Sequence, residues 1–493
     1  MITNEKKIKG GSFEYLSEQD LHKIHLASLE ILERTGVLVW DEEALQLLKT
    51  AGAYVDDHRV RIPAHMVEKA LSTAPARIPF CNVDSSRVIP LYRDHVCYGL
   101  GTDLPVFTDP YTGELRDTVL KDVENVAKVA QEAKNIDFVA CMGLASDVDN
   151  RVVDLYHLRT IRTYCSKPNW LTATDYGNMK AIIDMAAVNA GGYDELRRRP
   201  TIGLYGEPVT PLTNSKEATQ KLLLCAEYGI PVTWASGIMA GATGPVTLAG
   251  TLALGNAEGL SGLVMHQLKC PGAPFIYGNV ASIMDMKTSV SCYGGPELPM
   301  MHLAVGQLGR FYDLPSYGTG GCTDSNVLDA QAGMEYMYSN LCAALAGTNL
   351  VHDNGYLGAG LIGSLESILF ASETIGFINR MQEGIVINDD TLCVDLIDKI
   401  GPGGQFVDQK HTFQNFKKED WFPDFLNRNQ YQQWTIEGKQ NVKERLSEKV
   451  REIIEAEHAP IISEETIAAY DEIIAKREAD IQKGKFHRED FQV

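Results

Sequence analysis

The chain has 493 residues, 44% of them hydrophobic, and its 65 acidic against 45 basic side chains give a formal net charge of −20. So acidic a balance excludes a binder of phosphate backbones, which needs basic patches, and the apolar fraction suffices for a large buried core. Ten cysteines lie scattered without a CxxC pair, which fits a reducing, cytoplasmic compartment rather than a zinc ribbon or a disulfide scaffold. The first residues, Met1-Ile-Thr-Asn-Glu-Lys-Lys7, hold no apolar stretch of the secretory type.

In chain order, Ser17-Glu-Gln-Asp20 has capping-box spacing, and Leu21, Ile24, Ser28, Ile31 and Leu32 share one helical face that ends near Gly36. Asp41 caps a second helix ending near Gly52. The runs Ala53–Val55 and Arg59–Ile62 predict a small hairpin, and Pro63 opens a third helix. Residues 1–92 therefore form an N-terminal helical and hairpin extension. Eight strand-like stretches follow: Val96–Gly101, Phe138–Ser146, Asn169–Thr174, Thr201–Glu207, Pro231–Gly237, Pro274–Val280, Leu314–Gly318 and Asn349–Tyr356. Most precede a helix-compatible segment. Eight β-then-α units predict an α/β fold, a (β/α)8 TIM barrel over residues 93–388, with an open doubly wound sheet as the alternative. The span Ala235–His266 carries one charge, Glu258, but its glycines and Pro245 make it strand, loop and helix rather than a membrane segment. Residues 389–493 form a C-terminal wrapping helical extension. It is irregular over Gly401–Gln433, then helical over 440–456 and Ser463–Lys476.

Chemistry is expected at the carboxyl ends of the strands, where barrel enzymes place their sites. Gly358-Ala-Gly-Leu-Ile-Gly363 is a formal GxGxxG, but it closes the βα series instead of opening a Rossmann half, so a glycine-lined turn fits better than a dinucleotide site. A phosphate group remains compatible with a turn after the eighth strand. Cys292, Cys322, His352 and Asp353 fall at strand ends, yet nothing in their spacing requires a metal, and none is expected. His352-Asp353-Asn354 ends the eighth strand and is either a bonded loop or part of the site. Tyr98, Trp170, Tyr205, Trp234, Tyr277, Tyr293, Tyr317 and Tyr356 fall within or just past the strands. Each alone reads as core packing, but several converging on one mouth would bind a quaternary ammonium group through their ring faces. Glu207, Asp324 and Glu297 would add negative charge around such a cation.

The chain resembles the trimethylamine methyltransferase family, specifically members that lack pyrrolysine. The residues that carry the resemblance are Ile31-Leu-Glu-Arg-Thr-Gly-Val37, Thr108-Asp-Pro-Tyr-Thr-Gly-Glu-Leu-Arg116, Cys322–Glu335, Gly401-Pro-Gly-Gly-Gln-Phe406, His411-Thr412, Trp421, Arg428, Trp434 and Glu444-Arg445. The resemblance implies an enzyme that moves a methyl group from a methylated amine to Co(I) of a cognate corrinoid protein. It therefore implies cobalamin supplied by that partner and no permanently bound cofactor. Ordinary residues stand over Thr323–Asp329, where the archaeal trimethylamine enzymes are expected to carry pyrrolysine; Asn326 is one candidate counterpart. That departure implies a quaternary amine donor such as glycine betaine, proline betaine, carnitine or γ-butyrobetaine. Asp324, Asn326 and His352 are the candidate catalytic residues. Tyr98, Trp170, Tyr205, Glu207, Trp234, Tyr277 and Tyr356 are the candidate substrate-binding set. Arg93, Arg162, Lys287, Arg310 and His352 are candidates for holding a betaine carboxylate. A homo-oligomer with no nucleic-acid or membrane partner is expected. A non-catalytic betaine sensor and a phosphate- or nucleotide-ligand barrel are the alternatives.

Overall fold

The computed structural model describes residues 2–3 and 13–491. Its centre is a closed barrel of parallel strands. The strand Cys97–Tyr98 pairs with Leu350–His352, which pairs with Ser316–Thr319. The ring continues through Phe275–Gly278, Val232–Trp234, Ile202–Gly206 and Asn169–Leu171. The second strand is reduced to two parallel bridges, Gly99 to Phe138 and Val139 to Asn169, and these close the circle. All eight stretches read as strands in the sequence take part, so the fold is the (β/α)8 barrel and not an open sheet. Helices Leu120–Glu132, Val153–Tyr164, Tyr176–Ala190, Lys216–Tyr228, Leu248–Lys269, Glu297–Phe311, Ala330–Ala346 and Leu365–Glu383 alternate with the strands. Several end on glycine in the left-handed region, as Gly191, Gly229 and Gly347 do. The apolar stretch after Ala235 is the strand-to-helix passage into Leu248–Lys269. Among the described residues no helix is long and apolar enough to cross a membrane.

The strands alternate strictly. Cys97, Phe138, Trp170, Ala235, Ile276, Tyr317 and Leu350 pack together inside the barrel. Below them sits an element the sequence did not announce, the antiparallel hairpin Ile78–Cys81 with Arg87–Leu91. Its Ile78, Phe80, Ile89 and Leu91 join the same interior cluster, and Cys81 N–H donates to the Pro200 carbonyl just before the fourth strand. The hairpin therefore plugs the amino-terminal end. The helices Glu18–Glu30, Glu42–Ala51 and Ala64–Thr73, with the hairpin Tyr54–Asp56 and Arg59–Arg61, appear where expected; the first runs into a π-turn at Ile31–Thr35 that Gly36 ends. Ser28 of the first helix donates to the Ala253 carbonyl, so this layer is bonded to the barrel's outer helix Leu248–Lys269.

At the C-terminus, Val442–Glu455 buries Leu446, Val450 and Ile453 in the core beside the barrel's first and last helices. Glu464–Gln482 buries Tyr470, Ile474 and Ile481 against another flank. Its buried Arg477 is paired with Asp175 at 2.8 Å. The segment between the barrel and these two helices is not irregular throughout: it forms the short helices Asp389–Leu392, Val394–Ile400, Lys410–Glu419 and Tyr431–Ile436. No residue from Glu383 to Arg445 is buried.

Candidate functional site

Strand alternation decides which aromatics reach the mouth. Tyr205, Tyr317 and His352 lie on the inner face, one layer above Trp170. Their ring centroids are 5.7 Å apart for Tyr205 and Tyr317, 4.4 Å for Tyr317 and His352, and 5.8 Å for Tyr205 and His352. Trp170 is 5.6 Å from Tyr317 and edge-on to Phe80 of the plug, so it forms the floor. Tyr356, in the turn after the eighth strand, donates its hydroxyl to the Thr102 carbonyl across the mouth. A Cβ at Gly101 would collide with that hydroxyl and with the Asp353 carboxylate, so only glycine there lets the two loops meet. Tyr293 arrives on the loop after the sixth strand and packs over Gly360, where a Cβ would lie 2.8 Å from its ring.

Tyr98, Trp234 and Tyr277 do not belong to this set. They occupy the alternate positions and face the outer helices. Trp234 Nε1 donates to Asn214 Oδ1 at 3.1 Å and its ring lies on Gly262. Tyr277 donates to Asn256 Oδ1 at 2.7 Å, and Tyr98 is packed with Val123 and Val126. Being buried between barrel and helices, they cannot touch a ligand in the mouth.

Carboxylates surround the inner rings. Tyr205 donates to Glu207 Oε2 at 2.8 Å. Asp103, which the sequence reading missed, accepts from the Thr172 hydroxyl at 3.0 Å and from the Cys141 thiol at 3.7 Å. Asp103 and Asp353 both have positive φ, 65° and 71°, an arrangement L residues adopt only where the surroundings hold it, often at sites. Burial pushes Asp103 and Glu207 above the usual carboxylate range; Tyr205 and Thr172 hydrogen bonds oppose it, and Asp103 reinforces the rise at Glu207. Burial likewise raises the Tyr293 hydroxyl, with Asp353, Glu207 and Asp324 adding to the rise. The last two effects place these acids around one space.

His352 has both ring nitrogens against acceptors: Nε2 is 2.9 Å from Asp353 Oδ1, and Nδ1 is 3.1 Å from the Gly318 carbonyl oxygen. The other basic group here is Lys221, whose ammonium donates to the Ala173 carbonyl; burial lowers its pKa against the pull of Asp154, Asp175 and Glu207. Arg93, Arg162 and Arg310 lie at the opposite end. Arg93 O and the Thr201 carbonyl that Arg162 holds both precede strands, and Arg310 packs near Gly347 before the eighth strand. They cannot reach a carboxylate in the mouth. Lys287 lies in the turn of the hairpin Ser282–Asp285 with Val290–Cys292.

Asp324 is half-buried at the rim, accepting from Tyr293 N–H at 2.7 Å and from Cys292 Sγ at 3.0 Å. Glu335 holds that loop by accepting from Asp324 N–H at 2.9 Å. Asn326 is exposed on the rim beside the Gly358 turn. That turn does not form a phosphate loop. Gly363 lies on the Phe107 ring, and Ile362–Gly363 pairs with Val106–Thr108. The glycines thus admit the protein's own side chains, and a nucleotide reading loses its basis. Cys292 spends its thiol on Asp324, and burial with that carboxylate pushes it up to about 12. A different trio, Asp103, Cys141 and His157, has donor atoms within 4.8 Å of one another and is where a metal ion would be held. Each already has a protein partner, however; His157 accepts from Ala145 N–H at 3.4 Å.

Fold and sequence together define a barrel methyltransferase. The trimethylamine methyltransferase (MTTB) family model matches residues 3–482. The chain is 33% identical over 466 residues to trimethylamine methyltransferase MttB of Desulfitobacterium hafniense, covering 94% of this chain and 93% of that one. It is 32% identical over 471 residues to a glycine betaine methyltransferase of Desulfitobacterium hafniense, covering 95% and 98%. The chain belongs to the trimethylamine methyltransferase family. Among solved structures, the monomethylamine methyltransferase of Methanosarcina barkeri aligns with a TM-score of 0.48 at 13% identity, over 96% of each chain.

Proposed function

We propose that the protein transfers a methyl group from a quaternary amine, of the betaine and carnitine class, to Co(I) of a cognate corrinoid protein that presents its cobalt at the barrel mouth. The observation that carries this is the convergence of Tyr205, Tyr293, Tyr317 and Tyr356 with Glu207, Asp103 and Asp353 at one strand-end face. Aromatic faces and buried carboxylates attract a cation whose methyl groups offer no hydrogen-bond donor, at up to about 2 kcal/mol per desolvated ring.

The chemistry asks little else of the protein. A quaternary nitrogen leaves as a neutral tertiary amine. The methyl carbon forms its new bond to Co(I), which supplies the electron pair, and the C–N pair stays with nitrogen. No proton moves, so no general acid is required. The chain's residues hold the ammonium, aim one methyl group outward and exclude water. The carboxylate of a betaine has His352 and Lys221 as the basic groups within this space. Asp324 and Asn326 stand on the rim, where Asp324 holds the loop that carries Tyr293 by accepting from the Tyr293 N–H.

The test is anaerobic: purified protein, free or protein-bound cob(I)alamin, and a panel of trimethylamine, glycine betaine, proline betaine, carnitine and γ-butyrobetaine. Donor-dependent loss of the Co(I) absorbance with a quaternary amine is the expected result. Silence with every quaternary amine, when each binds, would leave a sensor as the reading.

A further inference from the structure

Two donors at the floor of the barrel have nothing to donate to. Trp170 and Tyr317 are both buried, and neither the indole N–H nor the phenol hydroxyl has a hydrogen-bond partner among the described residues. They come from the third and seventh strands, on opposite sides of the barrel, and their ring centroids are 5.6 Å apart. Burial raises the Tyr317 pKa; Asp353 adds to the rise, the Trp170 N–H opposes it, and Tyr356 and Glu207 add again. The hydroxyl therefore lies beside the indole N–H and within reach of the field of the mouth's carboxylates. The side chains packed around them, Cys97, Phe138, Ala235, Ile276 and Leu350, are apolar. Phenylalanine at either position would fill much the same space without a buried unpaired donor, which is costly wherever it occurs.

We infer that Trp170 Nε1 and Tyr317 Oη hold the carboxylate of the methyl donor, so that a betaine enters carboxylate first and leaves its ammonium at the mouth. That the ligand is a quaternary amine rests on the proposed reaction; that the floor lacks an acceptor does not. Charge sets the orientation. Glu207, Asp103 and Asp353 surround the mouth, where they attract the ammonium and repel a carboxylate. The basic groups nearby are already engaged: both His352 nitrogens lie against the oxygens of Asp353 and Gly318, and Lys221 donates to the Ala173 carbonyl. An ionised carboxylate accepts from two donors at once, and such bonds are stronger than those between neutral groups. A zwitterion also brings its own counter-charge, so burying its carboxylate requires no further cation from the protein. The same orientation turns the N-methyl groups toward the opening, from which Co(I) must approach. A cation without a carboxylate would leave both floor donors unpaired, and a site built around buried donors rejects the analogue that lacks the acceptor. Trp170 and Tyr317 thus select carboxylate-bearing quaternary amines over plain tetraalkylammonium ions.

The experiment is a calorimetric titration of the full chain, without cobalamin, using two matched pairs: glycine betaine against tetramethylammonium, and γ-butyrobetaine against butyltrimethylammonium. In each pair the cation stays and the carboxylate goes. At least one betaine is expected to bind about tenfold or more tighter than its analogue. Tyr317→Phe and Trp170→Phe are each expected to weaken that betaine about tenfold or more and to leave the carboxylate-free cation within about twofold. Tyr317→Phe is also expected to keep or raise the melting temperature of the ligand-free protein, because it removes a buried unpaired hydroxyl. Equal weakening of both members of a pair, no weakening in either variant, or a wild type that binds both members alike overturns the inference; so does a wild type that binds neither betaine. Methyl transfer is read separately. A betaine bound in this manner but inert toward cob(I)alamin supports the floor site and overturns the proposed reaction. A betaine demethylated with unaltered affinity in both variants overturns the floor site and leaves the reaction standing.

Discussion

Glu207→Gln separates holding the cation from moving the methyl group. Glu207 lies at the end of the fourth strand with Tyr205 bonded to one oxygen, and Gln keeps that contact while removing the charge. An ammonium nitrogen about 5 Å from the carboxylate gains about 3 kcal/mol at an effective dielectric constant of 20. Burial already pushes Glu207 toward its protonated form, and Asp103 and Asp353 remain, so the realised loss is nearer 1–2 kcal/mol, a rise of about 5- to 30-fold in KM. The sign on kcat is the sharper test. Positive charge on nitrogen fades as the C–N bond breaks, so the carboxylate stabilises the bound cation more than the transition state. Methylation of cob(I)alamin followed at saturating donor should therefore hold its kcat or gain slightly, while KM rises. A variant with unchanged KM and a kcat reduced tenfold would refute the placement of Glu207 beside the ammonium.

Tyr205→Ala and Trp234→Ala, neighbours in consecutive strands, should diverge. Tyr205→Ala should raise KM about tenfold or more with a small change in melting temperature; Trp234→Ala should cost about 3–5 kcal/mol of stability in a denaturant titration and leave the KM of the folded fraction unchanged. His266, buried between its helix and Phe275, has a pKa lowered by burial from 6.5 to about 3, and burial lowers His302 likewise. The folded state keeps these rings neutral while the unfolded chain protonates them, so their contribution is complete above pH 6.5 and is lost as pH falls from there toward 3, by up to a few kcal/mol each. His266→Gln should flatten the fall in melting temperature between pH 7 and 5, and an identical slope in the variant would contradict the buried neutral ring.

The eight strands were legible because each ends in glycine or a polar residue before a helix, a punctuation that burial does not alter. The facing of their side chains was not. Strands covered on both sides read as continuous apolar runs, so Trp234 and Tyr205 look alike until register assigns one to the helices and the other to the mouth. Parity offered a signal: Gly99, Gly101 and Asp103 share one face, and small residues on it make room for what enters from the eighth strand's loop. Asp103 was missed because it lies beyond the strand in a left-handed turn that no local pattern marks. The plug hairpin was missed because Ile78–Leu91 has ordinary short apolar runs, and its role depends on a cavity that only the closed barrel creates.

The way the chain ends has a consequence during synthesis. The first strand finds its second neighbour in Leu350–His352, and Asp175 waits for Arg477, 302 residues downstream. Contacts so distant in sequence slow folding, and a chain emerging from the ribosome cannot close its barrel until the eighth strand is released, nor pair Asp175 until Arg477 follows. Before the eighth strand appears the barrel is an open sheet with two bare edges, and until Arg477 appears Asp175 is a carboxylate without that cation. A chain cut short before Leu350 would keep those edges bare, open to proteases and to aggregation through them, whereas one cut short before Arg477 would lack only the partner of Asp175.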